Sequence, residues 1–534
     1  MSRTVLIGLD GATFSVLDPL MGYGVMPFLR EFVHCGTRAE LLSTLNPLTP
    51  PAWTSLMTGR SPGHHGVFDF LRAEERNGDM FFTLSDGRDV QCETIWSMVS
   101  GQKMRVTSLN FPMMYPHPPV SGCIVPGLVS WKNLKLGVQP PSLYQELKAI
   151  PGLNLKEMGW DWELGKKVVL GIEPTEYESW VEFHIKREHH WFEVARHLMQ
   201  TGQCDLTAVL FDGVDKLQHI CWNFLGAEWT ASMHSTWENK IRDLCLDYFR
   251  QLDSYIREIV RLAGPQSRIF IASDHGFGPS GQVFCVNVWL QERGYLTWRV
   301  PAAADPATAE KWKRRLNSSF VLLDWERTKA YARTPSSNGI FIRKSERPGQ
   351  SGVPPEEYER FRQELTDGLY NIVDPATGEH VVKDVWKREE AFPGNHSRQA
   401  PDLTLVLRDY GFVSIKNGPA AVQARPRVIG THRPEGILLA AGVGLRRDTT
   451  MGALSILDVA SNLLYSLGLE IPRDLEGRVA FELFEPSWVE ANPVRIGEPT
   501  RTAESQELRA EARQTEPDDQ STVVERLRAL GYIE

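Results

Sequence analysis

The chain has little cysteine: seven in 534 residues, at positions 35, 92, 123, 204, 221, 245 and 285. The number is odd and no two form a Cys-x-x-Cys pair. That pattern suits a reducing compartment better than a disulfide framework, and a cytoplasmic setting is the expectation. Long apolar runs are also missing. The N-terminal run Thr4–Leu9 is too short for a signal peptide and ends at Asp10. The longest later stretch, around Gly436 to Leu445, falls far short of the roughly 18 residues of a membrane span. Basic residues are not in excess. With 58 Lys and Arg against 67 Asp and Glu the formal net charge is −9, which argues against nucleic acid as the main partner. No internal repeat is seen. What remains is ordinary globular usage, 42% hydrophobic and 23% charged, enough for a sizeable core.

Short apolar segments alternate with amphipathic ones. Thr4–Leu9, Ala39–Leu42, Met104–Leu109, Leu206–Phe211, Ser267–Ala272, Leu403–Leu407 and Ile437–Ala441 read as strands. Pro51–Thr58, Ser179–Met199, Glu238–Leu262 and Ser455–Leu467 read as helices, the first with prolines at its start and Gly59 at its end. This alternation predicts an α/β fold around a mostly parallel sheet. Residues 1–490 read as one core. It is interrupted by irregular segments, read as cap lobes, at about 110–205 and 296–400. Residues 491–520 are polar and charged with few aromatics, the composition of a flexible linker. Residues 521–534 read as a short C-terminal helix with Val523, Val524, Leu527 and Leu530 on one face.

Acids and imidazoles gather at the ends of the predicted strands. Asp10 follows the first. Asp212-x-x-Asp215-x-x-x-His219 follows Phe211. Asp274-His275-Gly276 follows Ala272, and His432 stands just ahead of Ile437–Ala441. In open α/β sheets functional groups collect beyond the carboxyl ends of the strands, so distant positions can meet in one crevice. Aspartate and neutral histidine are good ligands for divalent ions, and a four-residue spacing puts Asp215 and His219 on one face of a helix. Taken singly, each is as readily a turn, cap or loop residue. Thr49 stands immediately ahead of a predicted helix, where partial positive charge favours an alkoxide or a bound phosphate. A simple helix cap is the alternative reading of that position.

Together, Asp10, Thr49-Pro-Pro-Ala-Trp53-Thr-Ser-Leu-Met-Thr58-Gly59, Asp215-x-x-x-His219, Asp274-His275-Gly276 and His432 resemble the alkaline phosphatase superfamily, in its type I phosphodiesterase/nucleotide pyrophosphatase branch. The resemblance runs from residue 4 to about 480, where Pro472-Arg-Asp-Leu-Glu-Gly-Arg478 is similar to the closing segment of that superfamily. It implies an alkaline-phosphatase-like core, a mostly parallel central sheet sandwiched by helices, with the inserts forming a roof. It implies a two-metal hydrolase that cleaves phosphate diesters or pyrophosphate linkages, in nucleotide-like or other small phosphorylated metabolites, through a phosphothreonine formed on Thr49. One ion would be held by Asp10, Asp274 and His275, the other by Asp215, His219 and His432. Zinc is the first expectation for a mixed imidazole and carboxylate set, manganese the second.

Two departures bear on specificity. The branch commonly places an asparagine three residues after the nucleophile to hold a phosphoryl oxygen, and this chain has Ala52. Sulfatases need cysteine or serine followed by x-Pro-x-Arg, whereas here Thr49 is followed by Trp53 at the arginine position, which disfavours a sulfatase. Arg60, Lys216 and backbone N–H groups are the candidates for the missing contact. Trp131, Trp160, Trp162 and Trp180 of the first insert suit either a small core or stacking on a planar base. A phosphomonoesterase or phosphomutase on the same metals, and a non-catalytic metal-binding scaffold, are the alternative readings. Oligomeric state is not legible.

Overall fold

The computed structural model describes residues 3–76, 79–159, 174–226, 233–298, 323–345 and 351–500. Its centre is a nine-stranded sheet. The strands that matter for the site are β1 (Thr4–Leu9), β2 (Thr37–Leu42), β3 (Val106–Leu109), β4 (Gly122–Val125), β5 (Leu206–Phe211) and β6 (Arg268–Ala272). To these are added the ribbon strands β7 (Gly276–Phe284) and β8 (Val422–Arg433), and β9 (Glu435–Gly442). Across the sheet the order is β2-β9-β6-β1-β5-β3-β4, with the short Thr449–Thr450 and Leu454–Ser455 beside β2. All neighbours pair in parallel except β9, which runs antiparallel to both β2 and β6. The carboxyl ends of β1, β2, β5 and β6 and the start of β9 therefore share one edge.

Strand β1 shows why the sheet is buried on both sides. Its side chains alternate, and Val5, Ile7 and Leu9 join one apolar cluster while Leu6 joins the other. Among the helices that pack into the first cluster are α2 (Pro174–Thr201), α3 (Gly213–Leu225) and α4 (Thr236–Ala263). The second holds α1 (Thr49–Thr58) through Trp53, Leu56 and Met57. Helix α4 starts with a capping box in which Ser235 and Glu238 satisfy each other's backbone N–H groups.

The segment around 110–205 supplies β4 to the edge of the main sheet and α2 to the main core, where Val181, Trp191, Val194 and Ala195 are buried. Trp180 is buried there, its indole N–H 3.2 Å from the Lys216 carbonyl, and Trp131 is exposed beside Lys156. Trp160 and Trp162 lie outside the described residues. The second segment holds a separate apolar cluster and a four-stranded sheet that takes in Leu403–Leu407, a strand the sequence pattern would place in the main sheet. The first residues of the expected linker are docked instead: Ile496–Gly497 pairs with Ile471–Pro472, and Thr500 donates to Asp474. The expected C-terminal helix lies outside the described residues. No described helix is long and apolar enough to cross a membrane.

Candidate active site

Local geometry delivers each side chain to the shared edge. Asp10 caps β1, and Gly11 turns the chain at φ +66°, a conformation that suits glycine. Even there a Cβ would meet the Phe277 ring at 2.8 Å. The Gly11 amide donates to Asp274 Oδ1 at 3.0 Å, tying the end of β1 to the end of β6. Helix α3 carries Asp215 and His219 on one face, with His219 Nε2 3.3 Å from Asp215 Oδ1. The ribbon β7–β8 pairs His432 with Phe277, which sets its ring face to face with that of His275, centroids 3.6 Å apart.

The six candidate ligands form two trios. Asp10, Asp274 and His275 offer three ligand atoms within 4.8 Å of one another, and so do Asp215, His219 and His432. Asp10 Oδ1 and Asp274 Oδ2 lie 3.6 and 3.2 Å from His275 Nε2; His432 Nε2 is 3.1 Å from Asp215 Oδ1. Five of the six are buried and His219 is half-buried. Each imidazole sets its Nδ1 against a backbone carbonyl: His275 against Gly276, His219 against Gly430 and His432 against Pro47. A carbonyl only accepts, so Nδ1 carries the proton and Nε2 is presented to the centre as a donor of electrons, the tautomer a metal requires. Gly430 makes this approach possible, since a Cβ there would sit 2.2 Å from the Gln218 carbonyl oxygen.

The donor set fits divalent cations. Asp10 Oδ1, Asp215 Oδ1 and Asp274 Oδ2 are buried with no hydrogen-bond partner among the described residues, which is costly for carboxylate oxygens unless a cation meets them. Burial and then the Asp274 and Asp215 charges push the Asp10 carboxyl well above its usual range, and burial pushes Asp274 up to about 8. Burial, together with its imidazole neighbours, holds His275 well below the ordinary histidine value and His432 down to about 4. Asp215 behaves differently. Burial raises it, but the Lys216 ammonium, 2.6 Å from its Oδ2, and the adjacent imidazoles outweigh that and hold it well below normal.

Thr49 stands at this centre, with Oγ1 3.5 Å from His275 Nε2. Leu48 is the helix cap, so Thr49 occupies the first helical position instead of capping it. The helix start is a poor anion site on its own. Pro50 and Pro51 have no N–H, and the Ala52 amide is spent on the Leu48 carbonyl. Positions 50–52 of that turn therefore offer no backbone donor in place of the branch's asparagine.

Neither side-chain candidate does so directly. Arg60 follows the far end of α1, eleven residues from Thr49 and so about 16 Å along the helix. Its guanidinium is held by Asp474 at 2.6 Å and Glu476 at 3.4 Å, so Pro472–Arg478 clasps the end of the nucleophile helix. Lys216 is at the centre, but buried against Asp215. Its nearest role is as counter-charge to Asp10, Asp212 and Asp215, which keep it protonated against burial.

Sequence reading left Arg187 and Glu188 out. The two lie on the buried stripe of α2, and they lock the start of α3. Arg187 pairs with Asp212, while Glu188 accepts from the Gly213 amide at 2.8 Å. The legible signal was charge on an apolar face, since Trp180, His184, Arg187 and Trp191 recur at helical spacing. His65 is buried too, 2.9 Å from Ser55 Oγ, and joins α1 to the following turn.

A sequence profile described as type I phosphodiesterase/nucleotide pyrophosphatase matches residues 4–434, and the chain belongs to that family. It is a phosphoric ester hydrolase of alkaline-phosphatase-like fold. Among solved structures it is similar to murine ectonucleotide pyrophosphatase/phosphodiesterase 5. The identity is 14% and the TM-score 0.50 over 91% of this chain and 100% of that one. It is also similar to phosphonoacetate hydrolase from Sinorhizobium meliloti 1021, solved in complex with phosphonoformate. There the identity is 15% and the TM-score 0.52 over 87% of this chain and 96% of that one. Comparison with curated proteins gives no match.

Proposed function

We propose that the enzyme cleaves phosphate diesters or pyrophosphate linkages in small phosphorylated metabolites, nucleotide-like ones among them, through a phosphothreonine formed on Thr49. One observation carries the reading: two Asp/His trios meet around a buried threonine hydroxyl that lies 3.5 Å from His275 Nε2. Two divalent ions held by those trios, zinc in the first place and manganese in the second, would lower the pKa of the hydroxyl and neutralise charge on the phosphoryl and leaving oxygens.

The chain's own residues account for the rest. Thr49 Oγ1 loses its proton and forms a bond to phosphorus as the bond to the leaving oxygen breaks. The leaving group departs with that electron pair and takes up a proton. Water then attacks the phosphothreonine from the opposite side, the Oγ1–P bond breaks, and the hydroxyl is restored. The carbonyls of Gly276, Gly430 and Pro47 hold the three imidazoles in one tautomer throughout, so no reorganisation accompanies charge development. Lys216 offsets the carboxylates that would otherwise repel an anionic ester.

The test is turnover of bis(p-nitrophenyl) phosphate against p-nitrophenyl phosphate with added Zn²⁺ or Mn²⁺, followed by acid quench and mass spectrometry of the peptide that contains Thr49. Diester preference and a phosphopeptide at Thr49 are expected. Monoester preference would move the assignment to a phosphomonoesterase or mutase, and absence of turnover with both metals would overturn it.

A further inference from the structure

A polar cavity of about 640 Å³ opens between residues 66–89 and the second insert. Its walls carry six cations: Arg72, Arg333, Arg343, Lys344, Arg388 and Arg398. Three acids share the lining, and each is already committed. Asp89 pairs with Arg72 and Asp402 with Arg388, both at 2.5 Å. Asp69 is buried and accepts from the Ser336 and Thr334 hydroxyls and the Phe70 amide.

Four cations are left without a carboxylate partner among the described residues. Arg333 lies flat on Phe341, 3.6 Å from its ring centroid, and its Nε is buried with no hydrogen-bond partner. Arg343 donates to the Ser351 hydroxyl, and Lys344 sits 3.7 Å over Tyr358. Arg398 is exposed at the mouth, on a short turn of helix. Of these groups only the Arg333 Nε is shut off from water, and the forked donors of the three guanidinium groups match phosphate oxygens. A chain of hydrogen bonds links the cavity to the loop ahead of the nucleophile: Asp69 of its wall accepts from the Ser336 hydroxyl, and the Ser336 carbonyl accepts from the side-chain amide of Asn46 at 2.7 Å, three residues before Thr49.

We propose that this cavity binds the phosphate or pyrophosphate group of a phosphorylated small molecule through Arg333, Arg343, Lys344 and Arg398. Two sources share that chemistry: a distal phosphate on the molecule whose scissile group reaches Thr49, or a separate phosphorylated effector. The distal-phosphate case rests on the hydrolase reading above; the binding itself does not.

Titration calorimetry of the full chain with inorganic pyrophosphate in EDTA isolates the cavity, since chelation removes binding that needs divalent ions. Saturable binding is expected, weakened about tenfold or more by Arg333→Ala and by Arg398→Glu. Arg398→Glu alters an exposed side chain, so its melting temperature should match the parent and serve as the folding control. No binding in EDTA, or binding that neither variant weakens, would overturn the proposal, even if the enzyme hydrolyses diesters. Kinetics separate the sources. A rise in KM confined to substrates with a second phosphate, with bis(p-nitrophenyl) phosphate unchanged, identifies the distal group. A rate change by added pyrophosphate that Arg398→Glu abolishes identifies an effector.

Discussion

His432 Nδ1 lies 2.7 Å from the carbonyl oxygen of Pro47. That bond spans 385 positions in sequence and joins a candidate metal ligand to the loop that delivers the candidate nucleophile two residues later. Either trio alone would be a plausible metal site; this contact makes the threonine part of it. It also fixes the imidazole tautomer, because the carbonyl cannot donate.

Thr49→Ala removes the group to which phosphorus would bond and leaves both trios intact. The expected result is a loss of turnover of at least about a thousandfold with metal content unchanged. Steady-state kinetics beside metal analysis of the same preparation check it, and substantial residual turnover would exclude Thr49 as nucleophile.

Asp274→Asn and His432→Ala each remove a ligand from one trio. Metal per chain, measured on protein purified without added metal, should fall in both variants. Chelation of the parent protein should lower its melting temperature, and zinc or manganese should restore it, because an ion that binds only the folded state stabilises it by mass action. Unchanged metal content in both variants would sink the site.

Lys216→Met strips the buried counter-charge from Asp215 while keeping the length of the side chain. Leaving a buried carboxylate without its partner should cost about 3–5 kcal/mol in chelated protein. The loss should shrink when divalent ions are present, since they take over the neutralisation. Denaturant titrations with and without EDTA measure the difference; equal losses would mean that Lys216 acts only by packing.

Arg60→Ala should cost about 1–3 kcal/mol of stability, from the clasp with Asp474 and Glu476, and leave KM within about twofold. A large rise in KM with stability unchanged would return Arg60 to the substrate.

Burial holds the His65 imidazole down at about 3, against an ordinary value of 6.5. The unfolded chain takes up a proton at this position below pH 6.5, and the folded one does so only near pH 3. This residue therefore makes stability fall as pH drops through that window, and has no effect above it. His65→Gln should flatten the acid limb of melting temperature against pH between about 6.5 and 3. An unchanged slope would show that the ring is not neutral in the fold.

Much of the site was legible because its residues obey local rules. Asp10, Asp274 and His275 each follow a strand of unbroken apolar burial, and Asp215 and His219 share a helical face, so periodicity alone placed them at sheet ends. Burial of the 110–205 segment was hidden, since β4 and α2 find their partners in strands and helices far along the chain. Arg60 looked available for the same reason: its partners lie 414 and 416 positions away.

By itself, then, the sequence determined the strand and helix alternation, the order and types of the six candidate ligands, and the place of Thr49 at a helix start. These depend on side-chain period and on turn chemistry between neighbours. Only the tertiary structure decided which oxygens are stranded without partners, which nitrogen each imidazole presents, and that Lys216 and Arg60 are already engaged. It alone gathered around one cavity four cations that have no carboxylate partner among the described residues. Those outcomes depend on contacts hundreds of residues apart, and no local pattern encodes the distance between two groups that meet only when the sheet is complete.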